Sequence, residues 1–173
     1  MESKAKLLGH PIHTMLIPFP LGLLATALIF DLIHVVFDQE ALARAAYYMI
    51  AAGIVSGLIA AVFGLIDWMA IPHGTRAKSV GVQHMGGNVI VLALFGLAWL
   101  LRRDEPHDPD AFPIVLELAG GGLAAVTGWL GGELVDRMGV GVDRGAHLNS
   151  PSSLSDRPAS EGATQSNGQR GSA

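Results

Sequence analysis

Apolar residues fall in four long blocks, at 15–37, 45–70, 80–101 and 112–135, separated by polar or proline-containing breaks. A helix rises about 1.5 Å per residue and the hydrocarbon of a bilayer is about 30 Å thick, so about 20 apolar residues make one span. In lipid every backbone N–H and C=O must find its partner within the protein, so each block predicts a transmembrane helix. The breaks are Asp38-Gln39-Glu40, Pro72-His73-Gly74 and residues 102–113. This is the pattern of an all-α, integral membrane four-helix bundle occupying residues 1–143. From Arg144 onward Ser, Gly, Asn and Pro prevail without periodicity, which predicts a disordered polar tail over 144–173 with His147 incidental in it.

Within the first block, Pro18 and Pro20 predict a distorted or late-starting first turn. Lys4 and Lys6 ahead of an apolar run, with Ala25-Thr26-Ala27 inside it, imitate a secretory signal. The run continues to Phe37, well beyond the imitated cleavage site, so the segment reads as an uncleaved helix.

Composition agrees with the blocks. Half of the residues are hydrophobic, 15% are charged, and Lys+Arg number 11 against 15 Asp+Glu. That balance argues against a basic nucleic-acid binder and an ordinary soluble enzyme. Cysteine is absent, which removes disulfides, thiolate zinc sites, Cys-ligated iron–sulfur clusters and c-type haem. Zinc-protease, phosphate-loop, nucleophile-elbow and Glu-x-x-His di-iron patterns are missing as well.

Four spans put both termini on one side. Lys4, Lys6, Arg76, Lys78, Arg137 and Arg144 lie near helix ends on that side, against Arg44, Arg102 and Arg103 on the other. The excess of positive charge predicts cytoplasmic termini in a bacterial inner membrane. Gly53-x-x-x-Gly57 and Gly128-x-x-x-Gly132 predict close helix packing, and lend weak support to a homodimer.

The few polar residues within the spans then form a pattern. His10, His13, Asp67, His84, Asn88 and Glu133 gather at the terminus side, and side chains of this kind at membrane depth mark functional candidates. If the first helix starts near Pro11, His10 and His13 share a face; His84 and Asn88, four apart, do so in any helix. Asp67 is placed to fix the tautomer of His13 or His84, as a carboxylate does behind a metal-bound imidazole, and Glu133 either relays protons or pairs locally with Arg137. Gly139 suits a helix C-cap. At the other side Asp31, His34 and Glu117 form a sparser group that Arg44, Arg102 or Arg103 would neutralise, a structural arrangement first of all.

Taken together, Gly9-His10-Pro11-Ile12-His13, Ile17-Pro18-Phe19-Pro20-Leu21-Gly22, Phe30-Asp31, Gly64-Leu65-Ile66-Asp67-Trp68, His84 with Asn88, residues 128–135 and Gly139-Val140-Gly141-Val142 resemble a family of bacterial membrane proteins of unknown function, DUF2231. The resemblance spans about residues 9–145 and leaves the tail uncovered. It implies a four-helix membrane fold. It hints at electron transfer, since some relatives are joined to a Rieske-type iron–sulfur domain; in this chain such a partner would be a separate protein. An aromatic and a His that relatives carry around Asp136 and Met138 are missing here.

The leading expectation is a redox module in which His13 and His84 ligate one b-type haem or redox metal, with Asp67, Asn88 and Glu133 orienting ligands or relaying protons. A cation-binding or transport protein using His10, His13, His84 and Asp67 for a transition metal is the alternative. A structural membrane subunit whose polar groups satisfy one another is the third. The bilayer is the one partner common to all.

Overall fold

In the computed structural model, which describes residues 1–162, a short hairpin leads into the helices. Strands β1 (Lys6–Leu7) and β2 (His10–Pro11) pair antiparallel, Leu7 opposite His10. The two residues between them, Leu8 and Gly9, have φ of +52° and +84°, the signs that a tight type I′ hairpin turn needs. Next come α1 (Ile12–Leu16), α2 (Pro18–Phe37), α3 (Glu40–Met69), α4 (Arg76–Leu101) and α5 (Ala111–Gly132), whose last turn widens into a π-helix over Glu133–Arg137.

The prolines act where they were expected to. The first span is broken at Ile17 and α2 restarts with Pro18 at its first position, where the missing N–H costs nothing. Helix ends follow local chemistry. Asp38 closes α2 in the left-handed conformation, its N–H donating to the His34 carbonyl at 2.7 Å. Thr75 opens α4, its Oγ1 accepting from the Lys78 N–H at 3.2 Å. Gly139, at φ +64°, ends the final helix, and the Val140 N–H reaches back to the Leu134 carbonyl at 2.8 Å.

Among the described residues, four helical segments are long and apolar enough to cross a membrane: Ile12–Phe37, Glu40–Met69, Arg76–Leu101 and Ala111–Arg137. They form two antiparallel hairpins, α2 with α3 and α4 with α5; α3 lies beside α4 and α2 against α5, closing the bundle. The N-terminal segment, the α3–α4 turn and the end of α5 share one end, the terminus face. The α2–α3 turn and residues 102–110 share the other, the loop face.

Leu24, Ala27, Ala46, Ile50, Val91 and Phe95 make the central core. Helices approach closely because glycine removes the barrier: a Cβ on Gly53 would lie 2.7 Å from Leu24 Cδ2, and one on Gly120 2.8 Å from Phe95 Cε2. The outer faces, with Phe19, Leu21, Val35, Val62, Ile90 and Val126 exposed, are apolar as a lipid-facing surface requires. The space beside Gly53 and Gly57 is filled by Leu24 and Leu92 of the same chain, so this motif serves the bundle; a Cβ added to Gly128 or Gly132 would meet nothing within 4 Å among the described residues.

The described part of the tail, to Gly162, has turns and no helix or strand. These turns are held by local bonds such as Ser150 Oγ to the Ala159 carbonyl at 2.8 Å, and they reach the N-terminal hairpin, where Ser153 Oγ lies 3.1 Å from His10 Nε2. Residues 163–173 of the polar tail lie outside the described residues.

Candidate functional site

Two imidazoles enter the bundle at the terminus face, each held the same way. On α1, His13 Nδ1 lies 2.9 Å from the Ala60 carbonyl of α3. On α4, His84 Nδ1 lies 2.8 Å from the Thr127 carbonyl of α5. A carbonyl oxygen only accepts, so in both rings Nδ1 carries the proton and Nε2 presents a lone pair. Ala60 stands nine residues before the end of α3 and Thr127 ten before the end of the π-helix, about 14 Å and about 15 Å at the α-helical rise. Each ring is therefore anchored at a comparable distance from the terminus-face end of the helix that holds it.

Glycine clears the space beside each ring. A Cβ on Gly64 would lie 2.9 Å from His13 Cε1, and one on Gly131 3.1 Å from His84 Cε1. Beneath His84, Asn88 Nδ2 donates to the His84 carbonyl at 2.8 Å and lies 3.3 Å from Nε2. Thr127 Oγ1 donates to Asn88 Oδ1 at 3.1 Å, so Thr127 supports the imidazole through both its carbonyl and its hydroxyl. The sequence reading missed Thr127, Gly64 and Gly131. A lone Thr in the fourth apolar block was the available signal.

The other expected members stand elsewhere. His10 lies in β2, not on the first helix, because the hairpin turn carries the chain in extended form through Pro11 (ψ 122°); the shared face with His13 is thereby corrected. Asp67 binds neither imidazole. Its carboxylate accepts from Ser3 Oγ at 2.8 Å, the Lys4 N–H at 2.7 Å and the Ala5 N–H at 3.4 Å, tying the N-terminal segment to the end of α3. Glu133 pairs with Arg76 at the start of α4 (2.8 Å) and not with Arg137, since the π-turn no longer stacks residues four apart. Among the described residues no three His, Asp or Glu side chains converge as a metal-ion site.

Asp67→Ala is expected to free the N-terminal segment without melting the bundle, because it removes three donors' acceptor at one edge. The cost is about 1–3 kcal/mol in local opening, read as faster amide exchange over residues 2–7. Unchanged exchange there would contradict this role.

The termini add a polar layer over the same face. Lys6 bridges Glu2 and Asp143; its hydrogen bond with Asp143 holds the ammonium above its ordinary range, and the hydrogen bond with Lys6 holds the Glu2 carboxyl below its own. Trp68 Nε1 donates to the Lys78 carbonyl at 3.2 Å, and Lys78 Nζ returns to the Trp68 carbonyl at 2.8 Å, sealing the α3–α4 turn.

At the loop face the structure selects one arginine from the three candidates. Arg102 is fully buried. Its Nη1 donates to Asp31 Oδ2 (2.6 Å) and Glu117 Oε1 (3.0 Å), and its Nη2 to Asp31 Oδ1 (2.9 Å) and to the carbonyls of Ala43 (2.9 Å) and Pro106 (3.2 Å). One guanidinium thus joins α2, α3, α4, α5 and the following loop. His34 Nε2 lies 3.6 Å from Asp108 on that loop.

A family model described as a predicted membrane protein, DUF2231, matches residues 9–144. No curated protein and no solved structure matches the chain.

Proposed function

We propose that this chain, which belongs to the DUF2231 family of predicted membrane proteins, is a membrane redox module holding one b-type haem or related redox metal centre between His13 and His84. The observation that supports the reading is the pair of rings at the terminus face, each anchored through Nδ1–H to a backbone carbonyl of its own helical hairpin, which directs both lone pairs to Nε2. A hydrogen bond of this kind behind a ligating imidazole fixes its tautomer and raises its basicity. Axial ligation of a haem asks for two protein ligands and no more, which this pair supplies. A bare transition-metal ion ordinarily takes three or four, and no third His, Asp or Glu joins them among the described residues.

In this reading Asn88 and Thr127 orient His84, while Asp67, His10 and Glu133 organise the surface above the site. The bias of Lys and Arg toward the terminus face supports cytoplasmic termini in a bacterial inner membrane, where a separate redox partner would meet that face.

The test is to purify the full chain from cells supplied with a haem precursor and record reduced-minus-oxidised spectra alongside metal content. A Soret difference band is expected in the wild type, with at least a tenfold loss in both His13→Ala and His84→Ala and retained helical circular dichroism. A wild type without haem or stoichiometric metal, whose His variants lose stability alone, would make the imidazoles structural. Metal without haem, lost in the same variants, would favour the cation-binding alternative.

A further inference from the structure

The loop-face cluster contains two carboxyls and one guanidinium, with every member buried. Arg102 grips both Asp31 oxygens and so fixes Asp31 as the ionised partner. Glu117 receives one bond, through Oε1, from the same Arg102 Nη1 that donates to Asp31 Oδ2; its Oε2 is buried without a donor among the described residues. Two facing carboxylates would leave an excess negative charge at membrane depth, whereas one proton between them makes the cluster neutral and turns an orphaned acceptor into a donor.

Among the described residues, no second Lys or Arg pairs with either carboxyl. α2 presents Asp31 and His34; α3 contributes the Ala43 carbonyl, α4 the Trp99 Nε1 (without a partner among the described residues) and its C-cap Arg102, and the loop the Pro106 carbonyl and Asp108. A cleft of about 200 Å³ lies over Arg102, bordered by Asp104, Glu105, Asp108 and Asp110. Its acidic rim attracts protons to the mouth.

We propose that Asp31, Glu117 and Arg102 form a proton-binding site, in which Glu117 carries a proton beside the ionised Asp31 and exchanges it with water through the cleft that Arg102 lines. Binding adds one H⁺ to a carboxylate pair of formal charge −2 held by one guanidinium, and release returns it to water. The site is independent of the imidazoles.

Infrared spectroscopy of the full-length protein in lipid nanodiscs at neutral pH tests it. The wild type is expected to show a protonated-carboxyl C=O band that moves in D₂O and shifts on ¹³C-glutamate labelling. The band should vanish in Glu117→Gln and change frequency in Asp31→Asn. Because Gln mimics the neutral acid, Glu117→Gln should melt close to the wild type, while Asp31→Asn lowers the midpoint clearly. A wild type without such a band, or a band indifferent to ¹³C-glutamate, overturns the proposal; the labelling experiment needs no variant to fold.

Discussion

Arg102→Met is expected to destabilise the bundle by about 3–5 kcal/mol, because it leaves the buried carboxyls of Asp31 and Glu117 facing each other without a cation. Domain stabilities are about 5–15 kcal/mol, so the variant should accumulate poorly and unfold at a much lower temperature in detergent. Arg102→Lys keeps the charge but cannot reach two Asp31 oxygens, a Glu117 oxygen and two carbonyls at once, and should fall between. Removing the carboxyls together with the cation, as Arg102→Met with Asp31→Leu and Glu117→Met, should recover most of the loss, since a buried ionic group replaced as a whole by apolar side chains is often neutral. Midpoints of the three proteins decide the matter. An Arg102→Met protein as stable as the wild type would remove the cluster from the structural account.

The second large effect is expected at Gly87, where α4 and α5 touch. A Cβ there would lie 2.4 Å from Thr127 Cγ2, so Gly87→Ala must push the helices apart or turn Thr127 out of place. Overpacking of this kind costs about 1–3 kcal/mol. The same displacement reaches His84, whose Nδ1 depends on the Thr127 carbonyl, and Asn88, which depends on the Thr127 hydroxyl. Thr127→Ser deletes the obstructing methyl and keeps the hydroxyl. The double variant should therefore regain at least half of the stability lost, a coupling that a double-mutant cycle measures directly. Equal losses in the single and double variants would show that the clash is relieved elsewhere.

Much of this architecture was legible in the chain because lipid imposes a coarse rule. Blocks of apolar residues long enough to span hydrocarbon must be helices, and the four appear where the blocks lie. Pro18 and Gly139 announced their roles through chemistry that is local to the residue. The loop-face acids were visible as a group, but the choice of Arg102 over Arg44 and Arg103 rests on how α4 ends against α2 and α5, which spacing along one helix does not reveal.

At the terminus face the sequence grouped His13, Asp67 and His84 and left a backbone carbonyl or Asp67 open as the partner of His84; the carbonyl holds it, and Asp67 turns elsewhere. Both imidazoles chose main-chain carbonyls, which every residue possesses and no sequence pattern marks. Asp67 was captured by the Ser3 hydroxyl and by N–H groups of a segment that looked like mere lead-in. His10 was drawn off the helix into β2 by the hairpin before it, whose turn needs Leu8 in a conformation few side chains adopt.

The hydrogen bonds of the two imidazoles have a mechanical corollary. His13 is tied to α3, within the first hairpin, and His84 to α5, within the second, while Arg102 joins hairpin to hairpin at the opposite end. The two hairpins are thus tied at both ends, by Arg102 at the loop face and by the α3–α4 turn with its Trp68–Lys78 bonds at the terminus face, and each ring is referenced to a helix of its own hairpin, so whatever sets the spacing of the hairpins also sets the spacing of the rings.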